Sequence, residues 1–198
     1  MYTTRRIKPS RTRLIESLLR ELPDSISEYT VLAGGALRCL FTSEYPSDFD
    51  LFILSNSPED LLAKKQELEQ HFSKSWRKVF SCPTGQLTTF KSGPYKVQII
   101  NVKNQIYKSP QEIIESFDFH VCCMAYHKST LYFMKEAIEN IRSRKLTLNK
   151  LTYAAATINR LAKYKRNGYN TTLACQQIVI AISQATRTEI DFTTVYID

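Results

Sequence analysis

No window of this sequence reaches the roughly 18 consecutive apolar residues that a membrane-spanning helix needs, so no transmembrane protein is expected. A secretory leader is not expected either. Arg5, Arg6, Lys8, Arg11 and Arg13 make the start basic, but no apolar stretch of signal-peptide length follows them. The five cysteines, Cys39, Cys82, Cys122, Cys123 and Cys175, are odd in number and lack a repeated CxxC or a Cys/His pairing at zinc-ligand spacing. That argues against a disulfide scaffold or a structural zinc site, and for a reduced compartment. Internal repeats and low-complexity tracts are missing as well. These absences leave a soluble, cytoplasmic protein as the expectation, and they are silent on oligomeric state.

What is present is a chain of 198 residues with 43% hydrophobic content. That is enough for one good core, or for a catalytic domain with a small helical annex. The 27 Lys and Arg outnumber the 19 Asp and Glu, for a formal charge of +8. Such a balance favours a polyanionic partner, and a nucleoside triphosphate site needs positive charge of its own.

Apolar residues at helical spacing after Ser10 (Leu14, Ile15, Leu18, Leu19 and Leu22) predict a first helix that Pro23 closes. Tyr29 to Ala33 reads as a buried strand running into Gly34-Gly35, with a helix from Ala36 to Phe41. Asp48 to Leu54 alternates into a second strand. Ser57-Pro58-Glu59-Asp60 opens a helix to about Phe72, and Ser109-Pro110-Gln111-Glu112 opens a shorter one ending near Ser116. Between them, Trp76 to Ser81, Leu87 to Lys91 and Lys96 to Val102 predict three more strands. Phe119, Val121, Cys123 and Ala125 alternate as another strand, and Leu131 to Met134 reads as its hairpin return. From residue 135 the pattern turns helical, over 135–144, 148–166 and 171–187, with Asn167-Gly168 as a break. The domains are therefore read as 1–134, catalytic, and 135–198, a helical C-terminal region.

The chemistry concentrates in Val31-Leu32-Ala33-Gly34-Gly35-Ala36-Leu37-Arg38 and Ser47-Asp48-Phe49-Asp50-Leu51. Residues two apart on a strand share a face, which sets Asp48 and Asp50 side by side at about 7 Å along the backbone. Such a pair suits magnesium, which takes oxygen ligands and is commonly held by one or two carboxylates plus substrate phosphates. Gly34 and Gly35, having no side chains, let backbone N–H groups approach the phosphates of an NTP. Arg38 either contacts phosphate or braces the turn. A diglycine turn alone is usually just a turn, and an Asp-x-Asp alone is usually a solvated edge. Their succession, one strand apart, is the less common feature.

This arrangement resembles the DNA polymerase β-like nucleotidyltransferase superfamily over about residues 29–126. Gly34-Gly35-Ala36-Leu37-Arg38 and Asp48-Phe49-Asp50-Leu51 look most like its bacterial poly(A) polymerase and CCA-adding branch. The resemblance implies an α+β nucleotidyltransferase fold with a mixed, mostly antiparallel sheet flanked by helices. It also implies Mg²⁺ on Asp48 and Asp50, and an NTP held by Gly34, Gly35, Arg38 and Ser47. Cys39 replaces the acid usual after the arginine. The strand where many members carry a third carboxylate, Tyr95 to Val102, holds Gln98 and Asn101 but no acid. Phe117-Asp118-Phe119-His120 is similar to the branch's Arg-Asp-Phe-Thr motif and makes Asp118 either a supplementary catalytic carboxylate or a turn acid; His120 is read as packing or hydrogen bonding.

A second similarity lies at Asn159 to Arg166, where Arg160, Lys163 and Arg166 share adjoining parts of one helix surface. In the branch a basic helix contributes to nucleotide selection, so Lys163 is read as nucleotide-binding against the alternative of a solvated face. Tyr153, Tyr164 and Tyr169 either fill a helical core or stack bases. The basic run from Arg5 to Arg13 is either an RNA-binding arm or a solvated lead-in. The resulting expectation is a Mg²⁺-dependent enzyme that transfers a nucleotide from an NTP to a hydroxyl, with an RNA 3′ end, tRNA-like, as acceptor. Transfer to a protein or small molecule, or a catalytically silent binding fold, are the alternatives.

Overall fold

The structure, a computed structural model, describes residues 2–5, 9–42, 45–46, 48–102 and 105–185. Along the chain they form β1 (Tyr2–Arg5), α1 (Pro9–Arg20), α2 (Asp24–Ser27), β2 (Thr30–Ala33), a 3-10 helix (Gly34–Leu40), β3 (Asp48–Ile53), α3 (Pro58–Ser73), β4 (Arg77–Ser81), β5 (Leu87–Ser92) and β6 (Tyr95–Ile100). These are followed by α4 (Pro110–Ser116), a 3-10 turn (His120–Cys122), β7 (Met124–His127), β8 (Thr130–Met134), α5 (Lys135–Ser143), α6 (Ala154–Arg166) and α7 (Thr172–Gln184).

Two helices begin where local chemistry requires. Ser57 Oγ accepts the Asp60 N–H at 3.1 Å ahead of α3, and Ser109 Oγ accepts the Glu112 N–H at 3.4 Å ahead of α4. Each therefore satisfies one of the orphan donors of a helix start, with proline at the first position where no N–H is missed.

The strands form one eight-stranded sheet in the order β1-β8-β7-β2-β3-β6-β5-β4. β3 and β6 run parallel and the other neighbouring pairs antiparallel, so the sheet is mixed and mostly antiparallel within an α+β fold. Phe49, Val97 and Phe90 lie level across β3, β6 and β5, and the Phe90 ring meets Phe72 of α3 at 5.8 Å. Hence α3 covers the face that carries Phe49, Leu51 and Ile53. Strand alternation sends Asp48, Asp50 and Phe52 to the opposite face, where Phe52 packs edge-on against Phe117 and Tyr107. One face of β3 is thus core and the other is half core, half cleft.

The structure departs from the sequence reading in several places. β1 pairs with β8 from Tyr2↔Met134 to Arg5↔Leu131, so part of the basic start is a sheet edge. The helix after the diglycine begins at Gly34, and it is a 3-10 helix rather than an α-helix. Residues 120–122 turn out of the sheet because the His120 N–H donates to Thr147 O at 3.1 Å instead of to a neighbouring strand. α6 begins at Ala154 instead of residue 148. Ahead of it the Asn149 and Lys150 N–H groups both donate to Asp118 O, at 2.6 and 3.2 Å, which holds the segment out of a helix. α7 is described to Gln184, and Arg187 lies outside the described residues. No helix among the described residues is long and apolar enough to cross a membrane.

Candidate functional site

Antiparallel pairing of β2 with β3 sets Ala33 level with Asp50, so the chain leaves β2 and bends directly over the carboxylate. The bend needs glycine at Gly34, whose φ is +82°; a Cβ there would lie 3.4 Å from Asp50 Oδ2 and 3.4 Å from Phe117 Cζ. At Gly35 a Cβ would meet Arg38 Nη1 at 3.2 Å. The Arg38 guanidinium folds back over the turn it follows, and its Nη1 donates to Tyr164 Oη of α6 at 3.1 Å. It also lies 5.5 Å from the centroid of that ring. These contacts fit the bracing reading of Arg38; the residue also lines the cavity, which leaves the phosphate reading open.

Gly34, Gly35, Arg38, Asp48, Asp50, Asp118 and Lys163 all line one cavity of about 370 Å³ between the sheet and α6. That volume lies in the range of small-ligand sites. Ser47 lies outside the described residues. Asp48 Oδ1 is buried and accepts no hydrogen bond from any described residue, with the Lys96 ammonium 3.5 Å away. A buried carboxylate oxygen needs compensating charge or hydrogen bonds, and a divalent ion would add such charge to that of the Lys96 ammonium. Among the described residues no group of three or more His, Cys, Asp or Glu is placed to hold a metal. A divalent ion here would therefore rest on two carboxylates, with remaining ligands from water and substrate, which suits magnesium.

Asp118 lines the same cavity with both oxygens engaged. Oδ1 accepts the Phe119 N–H at 2.9 Å, and Oδ2 accepts from Arg160 Nη1 of α6 at 2.8 Å. With Asn149 Nδ2 donating to Phe117 O at 2.8 Å, this corner ties the helical region to the sheet. His120 Nδ1 pairs with Thr147 Oγ1 at 2.9 Å, and burial lowers its pKa. The Tyr164 phenol, pushed well up by burial and then by the neighbouring Cys122, lies 2.7 Å from Cys122 Sγ. Tyr164 also packs edge-on against Phe119 and Tyr169, which is a core role.

The sequence reading missed three cavity or rim residues. Lys150 lines the cavity from the irregular segment before α6. Thr157 of α6, at 1% exposure, lines it with an Oγ1 that has no hydrogen-bond partner among the described residues. Lys96 of β6 places Nζ 3.5 Å from Asp48 Oδ1. The signal for Lys96 was its alternation with Gln98, which matches that of Asp48 with Asp50. Residue patterning alone did not set β6 beside β3; only the resemblance placed that strand near the acid pair.

A diglycine bend over a carboxylate strand, in a mixed sheet of this order, defines a nucleotidyltransferase-like fold, and solved structures agree. A CCA-adding enzyme in complex with ATP superposes with a TM-score of 0.60 at 12% identity, over 90% of this chain and 44% of its own. A tRNA-processing enzyme in an apo form gives 0.59 at 16%, over 94% and 52%. The Thermotoga maritima CCA-adding enzyme complexed with tRNA gives 0.59 at 12%, over 94% and 48%. At such identities the likeness is one of fold, and the chain spans about half the length of these enzymes. By sequence the chain belongs to the Gabija anti-defense 2 family, whose profile matches residues 10–144. No curated protein matches it in sequence.

Proposed function

We propose that this protein is a Mg²⁺-dependent nucleotidyltransferase that moves a nucleotide from an NTP to a hydroxyl acceptor, and that the acceptor is an RNA 3′ end. The observation that carries the reading is the closeness of the diglycine bend to the acid pair. Only 3.4 Å separates the space beside Gly34 from Asp50 Oδ2, so one triphosphate can touch both. Asp48 and Asp50 would hold the magnesium, which when bound would activate the attacking hydroxyl and stabilise the leaving pyrophosphate. Gly34 and Gly35 bring backbone N–H groups against the phosphates, and Arg38 holds their bend in shape from below. The acceptor oxygen forms its bond to the α-phosphorus as the bond to the pyrophosphate oxygen breaks, and the acceptor proton passes to solvent. Lys150 and Lys163 add positive charge on the α6 side of the cavity, and the buried Thr157 hydroxyl offers a hydrogen bond to the base or ribose.

RNA is favoured by the net charge of +8 and by Lys163, Lys165 and Arg166 in the last turn of α6. A second reading has its own support: the family is described as Gabija anti-defense, which favours a protein of such a defence system as acceptor. Incubation with Mg²⁺, each labelled NTP in turn, total RNA and a cell extract separates them. Label in RNA supports the first reading and label in protein the second. Asp48→Asn and Asp50→Asn should abolish either signal while remaining folded. Transfer retained by Asp50→Asn would remove the assignment.

A further inference from the structure

In the parallel pairing of β3 with β6, Lys96 is level with Asp48 and Gln98 with Asp50. Level residues on adjacent strands project to the same face, so an ammonium and an amide share the face that carries both carboxylates. Lys96 Nζ lies 3.5 Å from Asp48 Oδ1, an oxygen that accepts no hydrogen bond from any described residue. The two side chains are 46% and 45% exposed, although Oδ1 itself is buried, so this ion pair is largely solvent-screened and contributes little to stability. Its effect falls on the charge of the site. Two acids and one ammonium leave a single net negative charge on a face where an acid in place of Lys96 would have tripled it.

We propose that Lys96 is a positioning residue: a built-in counter-cation that steadies Asp48 and restricts the nucleotide-free site to one divalent ion. The proposal rests on the reading of Asp48 and Asp50 as metal ligands. An ion held by the Asp48 carboxylate would stand within about 6 Å of the ammonium. Repulsion of a double by a single charge at that range, in water, weakens affinity on the order of ten-fold. Lys96 hangs on a flexible four-carbon stem, so the triphosphate of an arriving NTP draws it off Asp48. Metal and nucleotide then bind cooperatively, because the phosphates remove the charge that opposed the metal.

The test is titration of the full chain with Mn²⁺, without nucleotide, read by electron paramagnetic resonance of the free ion. The wild type is expected to take up one Mn²⁺. Lys96→Met should bind it on the order of ten-fold more tightly, Lys96→Arg should match the wild type, and Lys96→Glu should admit a second ion. The gain in Lys96→Met should shrink at high salt, where exposed charges are screened. Lys96→Gln is the second neutral variant should Lys96→Met fail to fold. Two outcomes separate this inference from the reading beneath it. If Asp50→Asn abolishes Mn²⁺ uptake but the neutral variants bind within about two-fold of wild type, the counter-cation is overturned and the metal site stands. If Asp50→Asn leaves uptake unchanged, the metal site falls, and Lys96 loses its role with it.

Discussion

Replacing either glycine of the bend by alanine adds the same methyl group, yet the structure requires different outcomes. At Gly34 the backbone φ of +82° is one that an L side chain adopts at a cost of about 1–2 kcal/mol. The new Cβ adds little beyond that, because Asp50 Oδ2 and Phe117 Cζ, both at 3.4 Å, are at ordinary contact distance. Deducting about 0.5–1 kcal/mol for alanine's restriction of the unfolded chain leaves a net cost of about 0.5–1 kcal/mol, and at roughly 2–4 °C per kcal/mol for a chain of this size Gly34→Ala should melt about 1–4 °C lower. At Gly35 there is no such strain. The Cβ meets the guanidinium end of Arg38 at 3.2 Å, which has to give by only a few tenths of an ångström within its contact to Tyr164, and alanine restricts the unfolded chain in favour of folding. Gly35→Ala should therefore melt within about 2 °C of the wild type, combining an effect near ±0.5 kcal/mol with the same conversion. The ligand readout differs as well. The Gly34 methyl stands against the Asp50 carboxylate, so Mg²⁺-dependent binding of a non-hydrolysable NTP should drop by at least about ten-fold, the equivalent of roughly 1.4 kcal/mol. Thermal melts and fluorescent NTP titrations decide it. Equal melting of Gly34→Ala and wild type, or a Gly35→Ala penalty as large as that of Gly34→Ala, would refute the account of the bend.

Three further outcomes follow from contacts elsewhere. Arg160→Ala strips Asp118 Oδ2 of a charged partner at 2.8 Å in a side chain only 10% exposed, and should cost about 1–3 kcal/mol in urea unfolding; a loss below about 0.5 kcal/mol would mean the corner is held by backbone bonds alone. Burial lowers the pKa of both His120 and His127, so the unfolded chain takes up their protons first on acidification. Their contribution is complete above the ordinary imidazole value of about 6.5 and declines as pH falls below it. Melting curves from pH 8 to pH 5 should accordingly be flatter for a His120→Asn/His127→Asn double variant than for the wild type, and an equally steep curve would contradict the sign. Ser129 holds φ +61° in the β7–β8 turn, so Ser129→Gly should stabilise by about 0.5–1 kcal/mol once the added freedom of the unfolded glycine is deducted; a lower melting temperature would count against a left-handed backbone there.

What could be read from the sequence was local chemistry. Ser57-Pro58 and Ser109-Pro110 announce their helices because the cap and the first N–H groups lie within three residues of each other. Gly34-Gly35 and Asp48/Asp50 were visible for the same reason: one is a single bend and the other a single pair at strand spacing. The features that escaped depend on partners far along the chain. β1 is short and basic, and becomes a strand only because β8, beginning at Thr130, offers it a free edge. Residues 148–153 carry helix-forming residues, yet Asp118 takes two of their N–H groups. Lys96 gains significance only from the parallel pairing of β6 with β3. Arg38 was visible as a cation near the turn, whereas its Tyr164 partner, 126 residues away, could not be inferred.

The two ties between α6 and the sheet, Arg160 to Asp118 and Arg38 to Tyr164, fix the mouth of the cleft at two points. Swinging α6 outward would rupture an ionic and a cation–π contact together. A ligand thus enters a chamber already cut to shape and spends little of its affinity on ordering the walls. On the function proposed above, its residence time is then governed by how firmly the floor grips its phosphates rather than by any door swinging open.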